Sequence, residues 1–504
     1  MKFTDKHWLA IIAAISIVFV ALRLWNLTDS CLWFDEIFGV HAAEMDWGNM
    51  FWFVAQDLIH PPLFYALLKI WIAVGGESLF WLRFFPVFFS TLAVVPFILL
   101  CRQLKLSLPT IALALAFFAV NGSLIKYAQE VRMYSLLLCL GLFSLWMFVR
   151  FLSTGKGFYF LIAVNITLVY SHYFGWLIIA SEVIAVIFLA RERLKQIFLM
   201  LALTAISFAP WLYAVWQATK INSNVGQNIG WMTKPNFTIV FQFVLDLLEP
   251  IYFQNSTAQS ASIYLLIAPI LIVAATSAAF YFAEWKTRSA VEKANFFLLL
   301  AFAFTPILLA FLASWILPYS IWGTRHLIVV FAPTAILTAK FLSAIKIQPL
   351  KIGLVSSLVL VVAIAFAIQI KTAQTKFIWC AWEDLARNLD TSKQQRIYVF
   401  EDLTAYHFWF ALRDGGDEIQ VVAVKNIEGL KEDKAYFLPR GFNEVQTANQ
   451  FEGERFFIAF RDKIWNESAP PLQNLKAQGY QIGEPQVFEA QDLKAFLVEV
   501  WKEN

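Results

Sequence analysis

Apolar residues fall into blocks of membrane-crossing length along the first three quarters of this 504-residue chain. At about 20 residues per crossing, spans are predicted near residues 8–25, 83–101, 109–126, 134–151, 158–174, 175–190, 197–216, 261–283, 296–316, 326–345 and 352–370. Residues 61–74 are apolar too, but the run is short, carries Lys69 and opens with Pro61-Pro62, which suits a re-entrant or interfacial helix better than a crossing. The first span follows Lys2 and Lys6 like a signal peptide, yet no small-residue cleavage site comes after it, and it is read as an uncleaved helix. Between the first two spans, residues 37–45 and 47–58 read as amphipathic surface helices whose Trp and Phe residues lie at headgroup level.

From about Phe377 onward the pattern becomes that of a soluble domain of roughly 130 residues. Residues 383–389 and 406–412 read as helices, and 396–400, 419–424, 435–438, 456–460 and 495–501 as strands. The expected organisation is a polytopic α-helical domain over 1–371, with a first outer loop at 26–82, followed by an α/β domain over 372–504.

The basic residues orient this arrangement. If 61–74 does not cross, Arg102 and Lys105, Arg150 and Lys156, Arg191, Arg193 and Lys195, Lys286, Arg288 and Lys293, and Lys346 and Lys351 share the cytoplasmic face with Lys2 and Lys6. About eleven spans then put the N-terminus inside and the C-terminal domain outside. Composition agrees with a lipid environment, with 60% hydrophobic and 15% charged residues. A net charge of +3 without a basic tract excludes a nucleic-acid partner. The four cysteines show neither metal spacing nor a disulfide framework, although Cys31 and Cys380 share the outer face in this topology, where they are able to pair.

The outer face also collects the residues able to do chemistry. Asp35 and Glu36 stand side by side just past the first span, where a carboxylate near hydrocarbon costs several kcal/mol without water or a partner. They read either as a solvated helix end or as catalytic acids. His60 follows in the same loop, Glu130 and Arg132 lie in the next outer loop, residues 217–260 form a long one, and Arg325-His326 head a late helix.

Taken in order, Leu32-Trp33-Phe34-Asp35-Glu36-Ile37-Phe38-Gly39, His60-Pro61-Pro62-Leu63, Leu82-Arg83-Phe84-Phe85-Pro86 and Tyr127-Ala128-Gln129-Glu130-Val131-Arg132-Met133-Tyr134 resemble the bacterial relatives of the protein O-mannosyltransferases, family 39-like members of the GT-C superfamily. The likeness covers the first half of the chain and extends weakly to Thr324-Arg325-His326-Leu327, where relatives usually show Arg-Tyr-Leu. It implies a GT-C membrane fold with a juxtamembrane helix after the His-Pro-Pro element. It also implies a glycosyltransferase that moves a sugar from a polyprenyl-phosphate donor to a hydroxyl of a protein, glycolipid or envelope polysaccharide.

Such a displacement needs a base and an anion clamp. By analogy with the family's first acidic motif, Asp35 takes the acceptor proton and Glu36 orients the acceptor or Asp35. Arg132, Arg83, His60 and Arg325 are candidates for the donor phosphate, against the alternatives of snorkelling anchors for the arginines and a helix stop for His60. Glu130 joins them as a substrate contact, or as a second acid holding a divalent metal with Asp35 as in the oligosaccharyltransferase branch; no cofactor is expected, and a metal is not favoured. His172 and Tyr173 read as interface-belt residues and Lys126 as a snorkelling lysine. The competing function is a transporter or flippase of lipid-linked substrates, but that class places its ionisable residues at the midplane, where Glu182 is the main acid here.

Overall fold

The computed structural model describes residues 4–221, 225–251, 261–371, 376–390, 394–413, 418–427, 429–430, 436–490 and 493–502. Two compact units are present, one of Met1–Leu27, Leu58–Lys220 and Met232–Ala373, the other of Thr28–Asp57, Ile221–Trp231 and Gln374–Asn504.

The first unit is helical: α1 (Asp5–Leu24), then, beyond the two helices of the other unit, α4 (Leu63–Gly75), α5 (Leu79–Leu92), α6 (Val94–Gln103), α7 (Leu108–Val120), α8 (Gly122–Ala128), α9 (Tyr134–Thr154), α10 (Phe158–Ser171), α11 (Gly175–Leu189), α12 (Leu194–Ile221), α14 (Phe237–Asp246), α15 (Ala261–Ala283), α16 (Ala290–Ile316), α17 (Phe331–Ser343) and α18 (Gln348–Lys371). Among the described residues seven helices are long and apolar enough to cross a membrane, counting Leu79–Gln103 as one. The four other predicted spans fall on shorter apolar helices, Leu108–Val120, Phe158–Ser171, Gly175–Leu189 and Ile328–Ser343. The protein is an integral, multi-pass membrane protein. α9 is the central element, with 72% of its apolar window buried, against 17% for α1 and α18.

The predicted run 109–126 is two helices. Asn121 leaves the helical region, its side chain accepts from Leu124 N at 3.0 Å to start α8, and its amide nitrogen donates to the Asp246 and Leu247 carbonyls. A polar cap thus interrupts an apolar run that by composition alone would continue. α4 is 13 residues long, the same length as α7. Of the predicted 217–260 loop, 217–221 continue α12 and 237–246 form α14, while 222–224 and 252–260 lie outside the described residues.

Two buried charges in this unit are absorbed by packing. Arg23 of α1 donates to the Phe19 and Ala119 carbonyls and to Ser90 Oγ, each at 3.0 Å, and lies over the Phe19 ring. The Ala119 carbonyl belongs to the last turn of α7, where helix carbonyls lack partners and favour a cation. Glu182 accepts from Ser144 Oγ at 2.6 Å and Asn165 Nδ2 at 2.9 Å, tying α9, α10 and α11 together in a closed polar knot.

The second unit combines α2 (Phe34–Glu44), α3 (Trp47–Asp57) and α13 (Gly226–Ile229) with α19 (Ala381–Ala386), α20 (Asp402–Leu412), α21 (Pro470–Ala477) and a seven-stranded sheet. Its strands are β1 (Gln395–Val399), β2 (Ile419–Val424), β3 (Gln446–Ala448), β4 (Arg455–Asp462), β5 (Tyr480–Ile482), β6 (Gln486–Glu489) and β7 (Lys494–Lys502), in the order β3-β2-β1-β4-β7-β5, with β6 also on β7. β1 to β4 run parallel, and β7 is antiparallel to β4, β5 and β6. Alternation decides the two cores. Ile397, Val399 and Val421 pack with Trp382, Leu385 and Phe408 from α19 and α20, while Tyr398, Val422 and Ile458 pack with Leu472 and Leu475 of α21.

The prediction differs here in five respects, the first being that the helix expected over 406–412 begins at Asp402. The first helix ends at Ala386 rather than 389, and residues 436–438 carry no strand, 435 lying outside the described residues. α21 and the strands β3, β5 and β6 were not foreseen; the strands are three or four residues long and arise from pairing rather than from an apolar pattern of their own. Finally, α2 begins at Phe34, not 37, so the acidic pair is helical.

Packing explains why 28–57 belongs with the sheet. Phe34 meets Tyr406 and Tyr436 at ring distances of 5.1 and 5.4 Å, His41 meets Trp409 at 4.7 Å, and Arg413 pairs with Glu44 at 3.1 Å. Arg440 donates to the Gln56 carbonyl, Asn228 donates to the Asp57 carbonyl, and Cys31 is disulfide-bonded to Cys380.

Candidate active site

The acidic pair occupies the first turn of α2, where unpaired backbone N–H groups favour carboxylates. Glu36 is fully buried, and its Oε2 accepts from Trp33 N at 3.0 Å. It therefore fixes how the chain turns into α2, a structural task beside the orienting role expected of it. Asp35, about 100° around the helix from Glu36, is only partly buried and so is the more accessible carboxylate.

The cationic candidates lie in the helical unit, on connections that meet at one end of the bundle. His60 precedes α4, Arg132 lies between α8 and α9, His172 between α10 and α11, and Arg325-His326 between α16 and α17. Arg132, 3% exposed, donates through Nη2 to His60 Nε2 at 3.1 Å. A guanidinium only donates, so His60 Nε2 is unprotonated. The His60 and His172 rings are 6.0 Å apart, His172 and His326 5.4 Å, and Tyr134 and His326 6.3 Å. The Arg325 guanidinium sits 6.0 Å from the Tyr134 ring centre.

His172, which in the sequence reads as an interface-belt residue, stands within this group. Its Nδ1 accepts from Phe174 N at 3.0 Å, which leaves the proton on Nε2, and this buried donor meets no acceptor among the described residues. His326 Nδ1 faces the Ile321 carbonyl at 3.4 Å. Burial first, and then the surrounding cationic groups including Arg132 and Arg325, hold both imidazoles well below the usual histidine range. At neutral pH the site thus presents guanidinium charge together with the neutral His172 Nε2–H donor, which suits the oxygens of a phosphate.

The other candidates divide. Arg83, on α5 and 6% exposed, donates through Nη1 to the Leu27 carbonyl at 3.2 Å, so at least one of its donors holds the chain just before it leaves for α2. Glu130 is half-buried, and its carbonyl accepts from Arg132 N in the tight turn that presents Arg132. Asp246, absent from the sequence reading, accepts from Gln242 Nε2 at 2.9 Å and from Thr324 Oγ1 at 3.1 Å, bracing the turn that carries Arg325. Burial raises the Asp246 carboxyl above its ordinary value, and Lys126 opposes this. Among the described residues, no three His, Cys, Asp or Glu side chains converge closely enough to hold a metal ion.

No protein-family model and no curated protein matches the chain. Among solved structures it is similar to ArnT from Cupriavidus metallidurans in the apo state, with a TM-score of 0.60, 10% identity and 98% of each chain covered. The same enzyme bound to undecaprenyl phosphate gives a TM-score of 0.56 at 11% identity, again over 98% of each chain. The archaeal oligosaccharyltransferase AglB from Archaeoglobus fulgidus, in complex with an inhibitory peptide and a dolichol-phosphate, gives 0.50 at 14% identity over 81% of this chain. The chain spans 64% of the length of that archaeal protein. At such identities the likeness is one of fold: the chain has the GT-C fold, as the motif resemblance implied, with a C-terminal sheet domain following the membrane helices.

Proposed function

We propose that this protein transfers a sugar from a polyprenyl-phosphate-linked donor to a hydroxyl acceptor, on the extracytoplasmic face of the membrane and with inversion at the anomeric carbon. The observation that carries the reading is the group of buried Arg132, His60 and His172 with half-buried His326, brought together from four separate interhelical connections of a GT-C fold. A membrane bundle gathers such groups against their desolvation cost when they receive an anion. The likeness to proteins solved with undecaprenyl phosphate and dolichol-phosphate supports a lipid phosphate as that anion.

In the reaction the acceptor oxygen attacks the anomeric carbon as its proton passes to Asp35. The bond from that carbon to the phosphate oxygen breaks, and the electron pair leaves with the polyprenyl phosphate. The departing phosphate needs positive charge and donors rather than a general acid, and Arg132, Arg325 and the His172 Nε2–H supply them. Arg83 and Glu130 are proposed as further substrate contacts. The Cys31–Cys380 disulfide supports an oxidising, extracytoplasmic location for the unit that carries Asp35. Metal dependence is not part of this scheme. Transport is the weaker reading, because Glu182, the acid deepest in the bundle, has both oxygens committed to Ser144 and Asn165.

Single-turnover transfer from a labelled polyprenyl-phospho-sugar tests the proposal, with donor binding measured in parallel. Folded, inserted Asp35→Asn protein that transfers at the wild-type rate would remove Asp35 from the base role.

A further inference from the structure

The sheet unit holds a feature with no part in the scheme above, a cleft of about 770 Å³ where strands β1 and β2 begin. It straddles the sheet. Trp409, Leu412 and Arg413 line it from the α20 side, while Arg396 and Gln420, paired in register on neighbouring strands, line it from the other. Its size falls within the range of about 300–1,000 Å³ typical of small-molecule sites.

The charges in the cleft are balanced rather than one-sided. Arg396 lies 3.7 Å from Glu452, Arg413 is 3.1 Å from Glu44, and Arg455 is 2.5 Å from Glu499. These pairs leave the cleft without a net anion trap, and Arg413, whose side chain is 19% exposed, is the best held of the three by its ion pair alone. Arg396 is held further by Gln420 Oε1 at 3.1 Å and Tyr398 Oη at 3.2 Å. Beside it, the Gln395 side chain donates to the Asp390 carbonyl, while its buried Oε1 receives no donor among the described residues. A buried acceptor without a donor costs roughly 1–3 kcal/mol, which a ligand hydroxyl would recover.

Fixed donors, an unmet acceptor and the apolar surfaces of Leu412 and Trp409 together match a ligand that donates and accepts at many points and has C–H faces. A peptide would instead seek the open edge of a sheet, whereas this cleft lies across strand beginnings and offers no ladder. We infer that the cleft binds an uncharged oligosaccharide, the glycan body of the acceptor. This rests on the transfer reaction proposed above and names the acceptor class. The cleft is also joined to the acidic turn: Arg413 pairs with Glu44 and Trp409 packs on His41, both on α2, whose first turn carries Asp35. Asp35 and Glu44 are about 14 Å apart along the helix, so an acceptor several sugars long is able to engage the cleft while its terminal hydroxyl is elsewhere in the reaction.

The test uses full-length protein in detergent, immobilised, and oligosaccharide fragments released by mild hydrolysis from the envelope of the organism that carries the gene. Wild-type and Asp35→Asn protein should retain the same fragment. Gln395→Ala should weaken retention about fivefold, the worth of one hydrogen bond. Gln394→Trp, which fills the cleft from an exposed position without removing an ion pair, should weaken it by about tenfold or more and raise KM for the acceptor similarly. Retention of no fragment, equal retention by Gln394→Trp, or capture of a carbohydrate-free peptide instead would overturn the inference. Retention lost only in Gln394→Trp, with no donor consumed by wild-type protein, would leave the cleft standing and sink the transfer reaction.

Discussion

Removing the Cys31–Cys380 disulfide measures how firmly the acidic turn is held, since Asp35 follows Cys31 by four residues. The cysteines are 349 residues apart, and closing a free loop of that length would, on the chain-entropy account, stabilise by about 6 kcal/mol. That figure is too large for this protein. The membrane helices stay inserted when the sheet unit opens, and Trp25, at the end of α1, packs its ring against Phe366 of α18 at 5.0 Å. The chain closed by the disulfide is therefore the stretch from Trp25 to Cys31 together with that from Phe366 to Cys380, about 20 residues, for which the same account gives about 3 kcal/mol. Cys31→Ser, Cys380→Ser and the double variant should each destabilise the sheet unit by this amount, because either replacement removes the whole cross-link. Pulse proteolysis in urea, read on fragments of the C-terminal domain from full-length protein in nanodiscs, provides the measurement. A loss near 6 kcal/mol would show that the bundle does not pre-close the loop. A loss under about 1 kcal/mol, or additive single variants, would refute the account of how the unit is tied.

Asp35→Asn should lower turnover by about 100-fold or more while donor binding is largely retained, since only the proton acceptor is lost. Arg132→Ala should weaken polyprenyl-phosphate binding by roughly 10- to 100-fold along with turnover, as a charge-assisted contact in a dry site acts on ground and transition states alike. Because His172 and His326 are held neutral by burial and by nearby cations, a bound phosphate raises their proton affinity. Affinity for the polyprenyl-phospho-sugar donor, a diester whose charge does not change in this range, should accordingly increase as pH falls from 7.5 to 5.5, and a flat profile by calorimetry would count against a phosphate beside these histidines. In the sheet unit, His41 and His407 are lowered from 6.5 to about 4, by burial first and by Arg413 and Arg461 respectively. The unfolded chain then binds more protons between these values, so stability is unaffected above pH 6.5, declines as pH falls and levels off below about 4, by about 3 kcal/mol for each histidine. His41→Phe and His407→Phe should flatten that decline in urea titrations at pH 4.5 and 7.

What the sequence made legible is what repeats with a period. The long apolar helices, α3 and the strands β1, β2, β4 and β7 leave a pattern over enough residues to be read, whereas α2, which reads as an amphipathic surface helix, has nine of its eleven residues buried, so that the helix is legible in the sequence and its burial in the sheet unit is not. The break between α7 and α8 and the strands β3, β5 and β6 left none, because one depends on Asn121 reaching the carbonyls of 246 and 247 and the others on partners far along the chain. The grouping of 28–57 with the C-terminal sheet had one signal in the sequence, the shared face of Cys31 and Cys380.

Arg83 and His172 show where residue type and position stop being informative. Both sit near helix ends, and both suit either an interface or a phosphate. What separates them is how their donors are used. Arg83 commits Nη1 to the Leu27 carbonyl, a bond fixed by where α1 ends relative to α5, whereas the His172 ring is turned by Phe174 N so that its remaining N–H stays buried and unmet among the described residues. The Arg83 bond has no local signature, and although the bond to Phe174 N is local, the absence of an acceptor at His172 Nε2 is not. Arg23 makes the same point from the other side: a fully buried arginine is the strongest functional signal a membrane sequence can offer, yet here its donors are taken up by the Phe19 and Ala119 carbonyls and Ser90. A buried charge in such a bundle indicates function only when the backbone leaves its hydrogen-bonding capacity unspent. By that criterion His172 belongs with the proposed phosphate group, Arg23 is a joint between helices, and the proposed contact of Arg83 with substrate runs through the donors that Leu27 does not use.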